Sequence, residues 1–401
     1  MNSTDTVRPQ IERLQKRGFL FGIAGVLLFA IFGALAGHHG GLAGWQQLFR
    51  SYLFAYLYWL CIPCGCLGLL MLHHLTSGRW GYPLRRIFEA GSRSLGLMAV
   101  LFLPVLAGLP KLYEWARPAD VAADPVLQAK QWYLNSPGFI VRAILYFAIL
   151  LVIAGLLNKW SREQDSTGDL KLKNRMGTLS APGVILWALI VTGASVDWVM
   201  SLEPHWFSTI YGMLWMVIMV LAAMSFSVFV LRMLADHEPI KDVVDPPRFN
   251  DIGNLMLTFV MLWAYLSFDQ LLITWAGNLK DEIPWYAQRA FGAWAPIGVV
   301  LILLHFFLPF FLLLQRGVKR RLRRLSVVAA WIVVLTLVDV YWIVVPSYER
   351  SGPRVHWLDV FAIIGIGGLW VGTFLGQLNK LPLLPLHDPR FEGVLEHEHG
   401  D

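Results

Sequence analysis

Apolar positions run along this chain in ten blocks of about twenty residues, separated by short stretches rich in polar, glycine or proline positions. The blocks have soft edges at 18–36, 51–73, 94–112, 138–158, 179–201, 209–233, 252–276, 292–315, 326–346 and 357–378. Crossing a hydrocarbon core of about 30 Å takes roughly 20 apolar residues in a helix. Within lipid only helices or closed barrels satisfy every backbone group, and these blocks are too long and continuous for barrel strands. The pattern predicts an all-α polytopic membrane protein with ten transmembrane helices, and an even number puts both termini on one side. No intervening stretch is long enough for a folded extramembrane domain. Residues 1–401 therefore read as a single integral membrane domain, with an N-terminal segment over 1–17 and a tail over 379–401.

Composition agrees. Hydrophobic residues make up 56% of the chain and charged residues 15%, whereas a soluble chain carries about a quarter charged residues. That excludes a soluble enzyme, a disordered chain and a nucleic-acid-binding module. The net charge of +6 changes the picture only through its distribution. If the N-terminus is cytoplasmic, 24 of the 33 Lys and Arg fall on the cytoplasmic side and 9 on the other, with the densest cluster at Arg316–Arg324. That asymmetry predicts both termini cytoplasmic. The first apolar block is long for a signal-peptide core and reads as a retained helix. The three cysteines, Cys61, Cys64 and Cys66, lie inside one block. They read as small apolar packing residues rather than a disulfide or metal framework.

Ionisable groups inside apolar spans are functional candidates by default. A proton path is the first reading of Asp197, Asp269, His305, Asp339, Tyr341 and Asp359. A buried carboxyl titrates nearer neutrality than an exposed one, and imidazole already titrates there. The alternative reading is that each Asp pairs with a polar group across helices. A second set, Glu203, His205, Trp206 and His356, offers a surface to a quinol head group or a partner protein. Trp206, Trp285 and Tyr286 also read as interfacial anchors. Pro63, Pro104, Pro296 and Pro309 interrupt spans and predict kinks. No catalytic residue, metal site or redox centre is evident in the sequence.

Two stretches carry a family likeness. Ser195-Val-Asp-Trp-Val-Met-Ser-Leu-Glu-Pro-His-Trp-Phe-Ser-Thr-Ile-Tyr-Gly212 resembles the NrfD/PsrC-like membrane subunits of quinol oxidoreductases. Ser267-Phe-Asp-Gln-Leu-Leu-Ile-Thr-Trp-Ala-Gly-Asn-Leu-Lys-Asp-Glu-Ile-Pro-Trp-Tyr286 is similar to the F subunit of alternative complex III. The likeness extends over most of the chain. It implies two four-helix bundles, helices 2–5 over 51–201 and helices 6–9 over 209–346, flanked by helices 1 and 10. It implies a multi-pass subunit in a bacterial inner membrane, within a respiratory quinol:cytochrome c or quinol:acceptor oxidoreductase. Its quinol would be menaquinol or ubiquinol. Iron–sulfur clusters and haem c would sit in partner subunits, beside a paralogous membrane subunit and a terminal oxidase. This chain would contribute a quinol environment, assembly and proton translocation, with no covalently bound cofactor. A proton-coupled secondary transporter is the alternative, since buried Asp and His suit it equally.

Overall fold

A computed structural model describes residues 7–238, 240–242 and 245–385. The chain is 84% helical, with no strand among the described residues. Among the described residues nine helices are long and apolar enough to cross a membrane: α1 (Arg8–Thr76), α2 (Arg85–Ala107), α3 (Ser136–Thr167), α4 (Leu170–Leu202), α5 (Tyr211–Leu234), α6 (Pro246–Gly277), α7 (Ala295–Leu314), α8 (Leu322–Ser347) and α9 (Trp357–Asn379).

At 69 residues α1 would extend about 100 Å if straight, far beyond one bilayer. It is not straight. Gly41 leaves helical geometry at φ 59°, ψ −134°, a conformation open mainly to glycine. Around it the chain doubles back: Gly33 lies against Leu48, Gly37 against the Trp45 ring, and Gly44 against the Ala36 carbonyl. The helix is a hairpin of two antiparallel arms, and its arms correspond to the first two apolar blocks.

The first arm lies on α9 through glycines. A Cβ on Gly22 would run into the Leu369 nitrogen, one on Gly25 into the Gly365 nitrogen, and one on Gly368 into the Gly22 nitrogen. Such backbone-to-backbone approach is how helices associate where no hydrophobic force separates them from lipid. The second arm crosses α5 just as closely, with Gly65 against the Met219 carbonyl. Trp187 of α4 donates its indole N–H to the Cys64 carbonyl at 3.0 Å. The three cysteines are free and buried here.

Two boundaries differ from the sequence reading. Helix begins at Arg8, before the apolar block that starts at 18. α2 begins at Arg85, well before the apolar block at 94, because Arg85, Arg86 and Glu89 are buried there. The tail over 379–401 is described only to 385; its remainder lies outside the described residues. The stretch between α2 and α3 holds short helices at Pro118–Ala123 and Pro125–Lys130.

Proline acts where expected in α7. Pro309 has no N–H for the His305 carbonyl one turn earlier, and the backbone over Leu301–Phe307 widens into a π-helix. Trp331 of α8 donates to the Leu304 carbonyl in that stretch at 2.8 Å. π-Turns of this kind gather at functional positions.

Candidate functional site

Alternation of the helices defines two ends. The basic end holds the start of α1, the end of α9 and the Arg316–Arg324 segment. The far end holds the hairpin turn of α1, the 203–210 turn and the 348–356 segment.

At the far end a cavity of about 620 Å³ opens between the second arm of α1, the end of α8 and the start of α9. Its walls include Arg50, Ser51, Tyr348, Arg354, His356 and Asp359. Asp359 is held on both oxygens: Ser51 Oγ donates to Oδ1 at 2.5 Å, and the His356 backbone N–H to Oδ2 at 2.8 Å. Gln47 Nε2 donates to Ser51 Oγ at 3.0 Å. His356 caps α9 by accepting the Leu358 N–H at Nδ1, 3.2 Å. This reciprocal pair is a capping box. An imidazole accepting at Nδ1 carries its hydrogen on Nε2 when neutral. Burial pulls the His356 imidazole below its ordinary value, with the Asp359 carboxylate opposing, so the neutral tautomer is favoured. Arg50 stacks its guanidinium 4.8 Å from the Tyr348 ring centre. Arg50 Nε and Tyr348 Oη are buried with no hydrogen-bond partner among the described residues. Burial also raises the Tyr348 phenol, leaving it a neutral donor. The cavity thus combines donors, a carboxylate whose oxygens keep further acceptor capacity, and a volume in the range of organic-ligand sites. Tyr341 lies next to this group, packed edge-on to Phe54 at 5.4 Å.

The other sequence candidates fall into separate groups. Asp197 is bidentate with Arg142, at 2.8 and 3.0 Å, and accepts from Tyr146 Oη at 3.0 Å. Arg142 also lies over the Tyr133 ring at 4.0 Å. Asp339 accepts the Trp263 indole N–H at 2.9 Å, and His305 sits edge-on to the same Trp263 at 4.6 Å. Trp263 therefore joins two candidates from α7 and α8 in the protein interior. Asp269 is on the half-exposed side of α6 and has no hydrogen-bond or ion-pair partner among the described residues. No hydrogen bond among the described residues links Asp197 to Asp269 or Asp339.

Glu203 is engaged from within. Arg289, fully buried, donates to Glu203 Oε1 at 2.8 Å, to the Ile343 carbonyl at 2.9 Å and to the Trp285 carbonyl at 3.2 Å. Ser347 Oγ donates to the same Glu203 oxygen at 2.7 Å. Burial lowers the Arg289 pKa, with Glu203 opposing. Trp285 carries the guanidinium at 3.9 Å on its ring and stacks on Trp206 at 4.8 Å and 14°. Trp206 and Trp285, expected as surface anchors, are both buried, because they form the floor of this ion pair. His205 remains half exposed and bonds Asp124 at 2.7 Å. Desolvation raises the Asp124 carboxyl, but the Val126 amide and the His205 imidazole together outweigh it and hold Asp124 below the usual carboxylate range.

Two polar features escaped the sequence reading. Gln270, beside Asp269, is buried with both side-chain polar atoms unpartnered among the described residues. It lies seven residues from Trp263 on the inward stripe of α6, so helical period alone marks it. Arg289 pairs across 86 residues with Glu203, which no local signal reveals. At the basic end Glu89 is buried among Arg85, at 3.0 Å, Arg86, at 2.7 Å, and Ser161 Oγ, at 2.6 Å. No group of three metal-ligating side chains occurs among the described residues. Compared with known families and curated proteins, the chain matches no family model and no curated protein.

Proposed function

We propose that this chain is an integral membrane subunit of a respiratory quinol:acceptor oxidoreductase, similar to the F subunit of alternative complex III, and that its far-end cavity is a quinol or quinone head-group environment. The α1 hairpin favours ten crossings from nine long helices. On that reading helices 2–5 and 6–9 form two bundles flanked by the glycine-packed first arm and α9, with both termini cytoplasmic in a bacterial inner membrane. Iron–sulfur and haem c centres belong to partner subunits alongside a paralogous membrane chain, and a terminal oxidase takes the electrons onward. Menaquinol or ubiquinol is the substrate class.

The cavity between α1, α8 and α9 carries the proposal. His356 Nε2–H and the Arg50 guanidinium are donors for a quinone carbonyl, and Asp359 is an acceptor for a quinol hydroxyl. The chain supplies position and proton-accepting groups; electron transfer belongs to the partners' cofactors. Asp339 and His305, which both pack on Trp263 in the interior, are the remaining candidates for proton-exchanging groups.

A photoactivatable quinone added to the native complex tests this reading. Labelling is expected on peptides spanning 345–359. Arg50→Gln should weaken it about tenfold to a hundredfold, the equivalent of one hydrogen bond to a charged group. Labelling confined to other subunits, and unaffected by Arg50→Gln or His356→Ala, would remove the quinol role from this chain.

A further inference from the structure

A second polar cavity, of about 320 Å³, lies at the basic end between α2, α3 and the last turn of α9. Arg93, Arg162 and Lys380 converge on it, with Ser92, Gln377 and the apolar Leu151, Ala154 and Gly155. The acids nearby are already committed. Glu89 is engaged by Arg85, Arg86 and Ser161, and approaches Arg93 only at 3.9 Å. Asp165 pairs with Arg86. Arg93 donates Nε to Asn158 Oδ1 at 2.8 Å, and its Nη2 is buried without a hydrogen-bond partner among the described residues. Arg162 spends Nε on the Asn158 carbonyl at 3.3 Å. The Lys380 ammonium is exposed and has no partner among the described residues. Five cations thus surround two carboxylates, and three of the cations face one cavity with donors to spare.

The apolar wall has a direction. Leu151, Gly155 and Arg162 share one face of α3, four and seven residues apart. Leu151 and its neighbour Val152 are exposed, and a Cβ on Gly155 would meet nothing within 4 Å. From Arg162 to Leu151 the helix rises about 16 Å, roughly half a hydrocarbon core. A shallow apolar groove therefore descends from the cationic cavity for the depth of one leaflet.

We propose that this cavity binds the phosphate head group of an anionic phospholipid from the leaflet on the basic side, with an acyl chain along Leu151–Gly155. Guanidinium forks suit phosphate oxygens, and basic pockets between transmembrane helices take such head groups. Inorganic phosphate shares the polar chemistry but has nothing to place in the groove.

The test uses the delipidated full chain, in its complex, by native mass spectrometry. Phosphatidylglycerol, phosphatidylcholine and inorganic phosphate are added separately and in competition. One phosphatidylglycerol should be retained where phosphatidylcholine is lost, with inorganic phosphate unable to displace it at equal concentration. Arg162→Ala with Lys380→Ala should weaken retention about tenfold or more. Both side chains are exposed, so the variant should fold. Arg323→Ala with Arg324→Ala, at a separate basic cavity lined by Val327 and Val328, should leave that lipid bound. Equal retention of phosphatidylcholine, displacement by inorganic phosphate, or an undiminished lipid in the Arg162/Lys380 variant would each overturn the proposal.

Discussion

Glu203 offers a sharp distinction between a residue that serves a ligand and one that serves the fold. Its Oε1 accepts from Arg289 and Ser347, and Arg289 is fully enclosed. Removing the carboxylate leaves a buried guanidinium with only neutral partners, the Trp342, Ile343 and Trp285 carbonyls and the Trp285 ring. Glu203→Gln keeps an acceptor in place and loses the charge, at an expected cost of about 1.5–3 kcal/mol. Glu203→Leu loses both, at about 3–5 kcal/mol. Pairing Glu203→Leu with Arg289→Met removes the stranded charge and should recover most of that loss, since an apolar replacement of a buried pair is often neutral. Unfolding in detergent can be followed with a thiol-reactive dye, because Cys61, Cys64 and Cys66 are free and buried. Quinone labelling should be unaffected by Glu203→Gln, because Glu203 is not among the residues lining the cavity at His356. Wild-type stability in Glu203→Leu, or a double variant as unstable as the single one, would refute the reasoning.

Three further outcomes follow from packing, capping and pairing. Gly22→Leu or Gly368→Leu should separate the first arm of α1 from α9 and sharply reduce assembly, whereas Gly40→Ala, with open space around it, should be tolerated; expression and size-exclusion profiles check this. His356→Ala should cost about 1 kcal/mol through the lost cap of α9. The His356 pKa is lowered by folding, so the capping contribution is complete above the ordinary value of about 6.5 and is lost as pH falls from there through the lower folded-state value. The stability gap between wild type and His356→Ala should therefore narrow on acidification, and a widening gap in thermal melts at pH 8 and pH 5.5 contradicts the capping geometry. Asp197→Asn should destabilise by about 1.5–3 kcal/mol by weakening a bidentate Arg142 pair, and Arg142→Met with Asp197→Leu should restore part of the loss in the same unfolding assay.

The parts of this architecture written in local hydrophobicity were legible: apolar blocks of helical length became helices, and the break between the first two fell at the glycines of the α1 turn. Charge pairing was not legible, because it is a property of distant residues. Arg85 and Arg86 look like loop residues by hydropathy, yet Glu89, Ser161 and Asp165 from two helices compensate them, and α2 starts earlier as a result. Glu203 and Trp206 looked like a presented surface until Arg289 and Trp285 closed over them. The inward placement of Gln270 rather than Asp269 follows from the α6 period anchored at Trp263, a signal present in the sequence and outweighed there by the carboxylate. His356 and Asp359 were legible as candidates individually; their shared cavity depends on Arg50, Ser51 and Tyr348, contributed by other segments of the chain.

Gentle extraction of native membranes, capture of this chain by a tag, and mass spectrometry of what accompanies it test the central claim most directly. Iron–sulfur and haem c subunits with a paralogous membrane chain are expected, in a preparation that reduces its acceptor when quinol is supplied. Recovery of the chain alone or as a homo-oligomer, with proton-coupled substrate flux in liposomes, would contradict the account and favour a secondary transporter.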